Sequence, residues 1–195
     1  NLDNKTSGNI TLSGTSMTIT VASGETLNLS GVTNSLSGNL SITDSTGNET
    51  ITGTSANDTL TLSSGNDTIN LGDGSDVINV TIGNLDVNDN ISDTGITGTD
   101  VLNITNSGTI DSANLIDAKG IETLTNNGAL TIGASSNEKD PSIGIFTDAS
   151  NVRNNVSINI GAKSTGIYST NTSADIDLAS SSLLIGNGEM GVYTL

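Results

Sequence analysis

A short phrase of glycine, an aliphatic residue and an aromatic residue recurs in this chain, and it restricts the possible folds more than any other feature. The copies are Gly144-Ile145-Phe146, Gly166-Ile167-Tyr168 and Gly191-Val192-Tyr193, at spacings of 22 and 25 residues. Repeats with a period in the twenties are typical of solenoids, in which each repeat buries its apolar face only when a neighbour stacks on it. The phrase therefore predicts a stack of similar coils.

The aromatic residues of this phrase, Phe146, Tyr168 and Tyr193, are the only ones in the sequence. Two interpretations are open. The rings form a platform for a carbohydrate, or they form a stacked ladder, one ring per coil, that fixes the register of the stack. We expect the ladder, because a repeated structural position requires one ring in each coil.

Short runs of alternating apolar and polar residues predict strands along the chain. Ile10 and Leu12 alternate with polar neighbours, as do Leu27 and Leu29. Of the 195 residues, 32% are apolar and 2% aromatic, so a thick core of large side chains is not expected. Hairpins of an antiparallel sandwich give similar runs. The repeats favour an all-β fold, a right-handed parallel β-helix (solenoid) that is irregular in its middle.

The charge balance and the missing residue types exclude several functions. Against 21 acidic residues stand five basic ones, for a net charge of −16. Such a surface repels phosphate groups, so we expect no nucleic-acid partner, and it favours cations, calcium above all. With no His and no Cys, serine and cysteine triads and common zinc sites are excluded. We expect no enzymatic activity; a polysaccharide-degrading β-helix enzyme is the less favoured alternative.

Three nine-residue units stand back to back in residues 53–79. Their aspartates, Asp58, Asp67 and Asp76, are nine residues apart, and an aliphatic residue follows each of them two positions later. This pattern resembles the glycine- and aspartate-rich nonapeptide of RTX proteins. The resemblance implies a parallel β-roll in which six residues form a loop facing calcium and three form a short strand.

The same resemblance implies that successive loops alternate between two sides of the roll. Asp58 and Asp76 then share a side, with one calcium ion between them, and Asp67 lies opposite. Thr54 and Leu62 replace glycines of the family pattern, so the alternative is a set of ordinary turns, which favour Asp and Asn. We expect no cofactor unless these loops bind calcium.

We interpret the chain as one β-helical passenger domain with four parts: short-strand rungs (1–52), nonapeptide-like rungs (53–82), an acidic loop (83–99) and rungs with the Gly-Ile-Tyr repeats (100–195). The interruptions 83–99 and 137–140 are candidates for partner contacts, because loops that break a regular scaffold often carry function. The sequence opens with neither Met nor a signal-like apolar stretch. We therefore expect a processed protein or a fragment of an exported one.

Between the Gly-Ile-Tyr phrases stand Asn-Asn-Val-Ser-Ile-Asn-Ile-Gly (154–161) and Asp-Ile-Asp-Leu-Ala (175–179). These rungs, within residues 129–195, resemble the passenger repeats of large type V autotransporter adhesins, particularly the fusobacterial kind. The resemblance implies a monomeric stalk or binding segment at the bacterial cell surface or outer membrane. Its partner would be a glycan or protein receptor on host cells or other bacteria. The RTX resemblance implies instead a calcium-binding RTX or surface-layer module with a structural, self-assembly role.

Overall fold

The computed structural model describes residues 10–85, 88–110, 116–132, 134, 142–178, 183–185 and 190–194. Within these residues the chain forms twenty-two short strands and one turn of 3-10 helix. The strands stack in parallel as a β-solenoid of about seven turns. The all-β solenoid predicted from the repeats is confirmed, and the antiparallel sandwich is excluded.

The strands, in chain order, are β1 (Ile10–Gly14), β2 (Met17–Thr20), β3 (Thr26–Asn28), β4 (Val32–Leu36), β5 (Leu40–Thr43), β6 (Thr50–Thr52), β7 (Asp58–Thr61), β8 (Thr68–Asn70), β9 (Val77–Val80), β10 (Asn90–Ser92), β11 (Val101–Ile104), β12 (Gly108–Ile110), β13 (Ile116–Lys119), β14 (Thr123–Asn126), β15 (Leu130–Ile132), β16 (Ser142–Thr147), β17 (Asn151–Asn154), β18 (Ile158–Ile160), β19 (Ser164–Ser169), β20 (Asp175–Asp177), β21 (Leu183–Ile185) and β22 (Met190–Thr194). The 3-10 helix, η1, spans Ile82–Asn84 and lies between β9 and β10.

Two eight-stranded sheets run the length of the stack. Sheet I has the order β2-β5-β7-β9-β11-β14-β17-β20, and sheet II has the order β3-β6-β8-β10-β13-β16-β19-β22. A third face is covered only in part: β1 pairs with β4 near the start, and β12-β15-β18-β21 form sheet III towards the end. We call one circuit of the chain a coil, and a segment that joins two sheets a corner.

The middle of the solenoid is narrower than its ends. Over residues 40–80 the chain alternates directly between sheet I and sheet II, with no strand on the third face. Hydrogen-bonded partners in neighbouring coils are 18 residues apart there, against 22 to 28 further along. Two nonapeptides make one coil of this two-sided section, whereas the wider coils contain a third side.

The core is a set of vertical columns of aliphatic side chains, because parallel in-register pairing places like residues above one another. One column in sheet I is at most 2% exposed and consists of Ile42, Leu60, Ile78, Leu102, Leu124 and Val152. A second, in sheet II, includes Ile51, Ile69 and Ile91. Full burial of each such side chain contributes roughly 1.5–3 kcal/mol, so each stacked coil adds favourable burial to the core.

The aromatic ladder is present where the structure describes the side chains. The strand register pairs Phe146 with Tyr168 and Tyr168 with Tyr193. The rings of Phe146 and Tyr168 stack with centroids 5.4 Å apart and planes inclined by 17°. Both are half-buried, while the preceding residues Ile145 and Ile167 are fully buried in the core. The rings thus line the outer surface of sheet II and fix the register from there.

The prediction of an acidic loop at 83–99 is wrong for its central part. η1 lies on the third face beneath β12, Leu85 is buried, and β10 enters sheet II between β8 and β13. Ile91 of β10 is 2% exposed and continues the core column. The described acidic residues on either side of β10, Asp89 and Asp93, lie in the corners between the two sheets. The other predicted interruption, 137–140, lies outside the described residues.

Candidate cation sites

Acidic residues recur at the two corners where the sheets are joined. Corner one leads from sheet I to sheet II and contains residues 44–49 and 62–67. Corner two leads from sheet II back to sheet I and contains residues 53–57, 71–76 and 93–100. In each corner an acidic residue stands immediately before the next strand or opens it. The stack therefore aligns these carboxylates in two columns on opposite sides of the solenoid.

In both columns a carboxylate accepts the backbone N–H of the acidic residue in the neighbouring coil. At corner one, the Glu49 N–H donates to Asp67 Oδ1 at 2.8 Å, and the Asp67 N–H donates to Asp89 Oδ1 at 2.9 Å. The Gly24 N–H donates to Glu49 Oε1. These bonds use one oxygen of each carboxylate to satisfy a backbone N–H that has no backbone acceptor.

Corner two repeats the arrangement over four acidic residues. The Asp58 N–H donates to Asp76 Oδ1 at 2.7 Å, the Asp76 N–H to Asp100 Oδ1 at 2.8 Å, and the Asp100 N–H to Glu122 Oε2 at 2.8 Å. The column continues through coils of 18, 24 and 22 residues. The four acidic residues therefore share a position in the corner but not a constant spacing in the sequence.

At each corner one further aspartate turns a pair of stacked carboxylates into a group of three. Cluster one consists of Asp44, Glu49 and Asp67, and one carboxylate oxygen from each lies within 4.8 Å of the others. Asp44 directly follows β5; its Oδ1 accepts the Ser45 N–H and its Oδ2 the Ser63 N–H. Those bonds orient it towards the other two members.

Cluster two consists of Asp76, Asp93 and Asp100, again with one oxygen from each within 4.8 Å of the others. Asp93 directly follows β10, as Asp44 follows β5. Its Oδ1 accepts the N–H groups of Gly72 and Gly95, each at 3.0 Å. The two clusters thus have the same plan on opposite sides of the roll.

Within both clusters several carboxylate oxygens are buried without a hydrogen-bond partner. They are Glu49 Oε2, Asp67 Oδ2, Asp76 Oδ2 and Asp93 Oδ2. Glu49, Asp67 and Asp76 are at most 1% exposed. An unsatisfied buried carboxylate oxygen costs more than the roughly 1–3 kcal/mol of a neutral polar group. Such atoms require a proton or a cation.

Burial and the repulsion of nearby carboxylates raise the pKa of Asp67 and Asp76. The pKa of Asp67 rises from 3.8 to about 7, mainly because of burial, with further contributions from Asp44, Asp89 and Glu49. Burial similarly raises the pKa of Asp76 to about 8, assisted by the charges of nearby aspartates. The shift is upward because the ionised form is desolvated and surrounded by like charges.

The surrounding sequence supplies no basic residue for these groups. Residues 6–118 contain thirteen Asp and Glu residues and neither Lys nor Arg. Lys119 follows, and its side chain is exposed. Carboxylate oxygens bound to one calcium ion, at about 2.3–2.6 Å each, lie up to about 5 Å apart. The spacing and the all-oxygen composition of both clusters suit this hard divalent cation.

The structure places the three predicted aspartates on the predicted sides: Asp58 and Asp76 at corner two, Asp67 at corner one. It brings Asp67 and Asp76 into three-carboxylate clusters but not Asp58. Asp58 Oδ2 accepts the Thr54 N–H at 2.7 Å, and the Thr54 hydroxyl lies 3.1 Å from both carboxylate oxygens. Thr54, which replaces a glycine of the family pattern, thereby satisfies Asp58 within its own corner.

Sequence reasoning missed the members of the clusters that come from other coils: Asp44, Glu49, Asp93 and Asp100. A signal for Glu49 alone was present. Glu49 stands nine residues before Asp58, in the same position of an earlier unit, 44–52. For Asp93 and Asp100 no such spacing exists, because their corner is longer.

The model of the RTX calcium-binding nonapeptide repeat matches residues 43–78, in four copies. The match begins one unit before the three nonapeptides predicted above and includes all of cluster one, Asp44, Glu49 and Asp67. It ends before Asp93 and Asp100. No curated protein and no solved structure is significantly similar to the chain. The described residues include no helix with the length and apolarity needed to cross a membrane.

Proposed function

We propose that this chain is a calcium-stabilised structural segment of a secreted or cell-surface protein, with its first calcium site at cluster one. The observation that carries the proposal is the convergence of Asp44, Glu49 and Asp67 within the matched repeats, with buried oxygens of Glu49 and Asp67 unpartnered. RTX repeat proteins bind calcium and are typically extracellular or secreted. Extracellular calcium would thus complete the fold after export.

The mechanism is a stabilisation of the native state by a ligand that the unfolded chain cannot hold. The three ligands come from two coils, since Asp67 is 18 residues from Glu49. They converge only when the coils stack, so calcium binding adds its free energy to folding. At a calcium concentration 100 times the dissociation constant, the gain is about 2.7 kcal/mol.

A calcium titration followed by chemical unfolding tests this proposal. Calcium should raise the urea midpoint of the wild-type protein, and Glu49→Gln should reduce the rise, because it removes a ligand charge but keeps an oxygen for the Gly24 N–H. Glu25→Gln is the matched control, since Glu25 also precedes a sheet II strand but is exposed. Equal calcium responses in the two variants, or none in the wild type, would refute a site at cluster one.

We further propose that the solenoid serves as a stalk or binding segment of an adhesin, with a glycan or protein receptor as its partner and no catalytic role of its own. One hydrogen-bonded sheet runs continuously from β2 to β20 and the other from β3 to β22, and this continuity favours a stiff spacer. The resemblance of residues 129–195 to adhesin passengers also supports the proposal. Beads coated with the protein should adhere to host cells or bacteria more than beads coated with an unrelated acidic protein. Equal adhesion would remove this proposal and leave the calcium-bound module.

A further inference from the structure

We propose that cluster two, Asp76, Asp93 and Asp100, is a second calcium site, separate from cluster one and built largely outside the matched repeats. Only Asp76 falls within residues 43–78. Asp93 directly follows β10 and Asp100 directly precedes β11, with residues 94–99 looping between them. The site therefore depends on an enlarged corner that does not follow the nonapeptide spacing.

The orientation of each carboxylate is fixed by bonds from the backbone. Asp76 Oδ1 accepts the Asp58 N–H and Asp100 Oδ1 accepts the Asp76 N–H, while Asp93 Oδ1 is held by Gly72 and Gly95. The remaining oxygens of Asp76 and Asp93 are buried and have no hydrogen-bond partner. Asp76 is 1% exposed and Asp100 is 4% exposed. A preformed set of oxygens is thus held in a buried corner.

The chemistry of the donors identifies the ligand class. All are carboxylate oxygens within 4.8 Å of one another, with no thiol or imidazole, and this composition selects a hard cation. A monovalent ion or one shared proton would leave two negative charges of the group of three uncompensated in a buried place, whereas a divalent cation leaves one. Calcium accepts six to eight oxygens in flexible geometry, so backbone carbonyls of the corner can complete its coordination.

Cluster two does not depend on cluster one, since the two lie at opposite corners and share no residue. Cluster two lies where the two-sided section meets the wider coils. Asp76 belongs to the last coil of the two-sided section, and Asp93 and Asp100 belong to the coil that follows. A bound ion would therefore join the narrow section to the wider one, on the side opposite the first ion.

Isothermal titration calorimetry of the full chain with calcium chloride, after removal of calcium with a chelating resin, tests the second site. We expect two calcium ions per wild-type chain, one for Asp93→Asn and one for Asp44→Asn. The double variant should bind none. Asp73→Asn is the matched control, because it removes one charge from the same corner as Asp76 while retaining an acceptor for the Ile96 N–H; it should bind two.

A wild-type stoichiometry of one, or two ions bound by Asp93→Asn as by the wild type, would overturn the second site. Equal weakening by Asp93→Asn and Asp73→Asn would also overturn it, since that result indicates a general field effect. If circular dichroism shows Asp93→Asn to be unfolded, Asp100→Asn provides the same measurement, and wild-type stoichiometry remains decisive. Loss of an ion in Asp44→Asn alone would report on cluster one only, so the two proposals fail separately.

Discussion

In the absence of calcium the protein should lose stability as the pH rises from about 4 to about 8. The titration of Asp67 determines the direction of this change in stability with pH. Its native pKa is raised from 3.8 to about 7, so between these two pKa values the folded protein holds a proton that the unfolded chain has released. Stability therefore falls with pH, because the native state binds more protons. The contribution is complete below the unfolded pKa and is lost as the pH passes the native one.

The magnitude follows from the shift of that one group. From 3.8 to about 7, at about 1.4 kcal/mol per pKa unit, Asp67 contributes on the order of 4 kcal/mol that is present at pH 4 and absent at pH 8. Asp76, with its pKa raised to about 8, acts in the same direction. The apo protein should therefore be far less stable at pH 8 than at pH 4.5, and calcium at pH 8 should reverse much of the loss.

Urea unfolding followed by circular dichroism, in EDTA at half-unit steps from pH 4.5 to 8, measures this slope. Asp67→Asn should have a shallower slope, by up to about 1.4 kcal/mol per pH unit, because asparagine stays neutral and still accepts the Glu49 N–H. Glu25→Gln, an exposed acid, should keep the wild-type slope. Stability in EDTA that is constant or rises with pH, or an unchanged slope in Asp67→Asn, would refute the argument.

Three further predictions concern the stack itself. Leu60→Ala should lower the free energy of unfolding by about 2–5 kcal/mol, whereas Ile96→Ala, at a side chain 91% exposed, should change it by less than about 0.5 kcal/mol; urea unfolding measures both. Gly65→Ala should lower the free energy of unfolding by at least about 3 kcal/mol, because φ is +155° and a Cβ would lie 1.3 Å from the Gly47 carbonyl oxygen. Gly83→Ala should be tolerated, because its Cβ meets nothing within 4 Å. Urea unfolding measures both. Removal of calcium should accelerate hydrogen exchange in β7, β8 and β9 more than in β17, β18 and β19. Uniform acceleration would contradict cation sites located in the narrow section and at its junction with the next coil.

The stacking of this protein was predictable because it depends on residues that repeat at one position of each coil. Phe146 and Tyr168 belong to the same phrase, and the structure pairs them in register. Asn126 and Asn154 also occupy paired positions of neighbouring coils, and the Asn126 side-chain amide donates to Asn154 Oδ1 at 2.6 Å. Parallel in-register pairing converts a sequence repeat directly into a spatial column.

The cation clusters were only partly predictable, because each combines a repeated residue with one that does not repeat. Asp67 and Asp76 stand at the regular position of the nonapeptide, and the pattern identifies them. Asp44 and Asp93 stand at the other end of a corner, directly after a strand, and nothing in a nine-residue spacing marks that place. Asp44 and Asp93 join a cluster only because a particular corner of the neighbouring coil lies next to them. Predicting that neighbour requires the length of each coil.

The location of the two clusters follows from the change in coil width. Residues 40–80 form coils with two sides, and a two-sided coil lacks the aliphatic residues that β15 adds to a wider one, such as Leu130 and Ile132. With less apolar surface to bury in each coil, this section has less hydrophobic stabilisation per coil. The charged corners would oppose stacking without a cation and would hold neighbouring coils together with one. Calcium at both corners would therefore stabilise the part of the solenoid where the apolar core is thinnest, and would make the folding of that part depend on the calcium concentration.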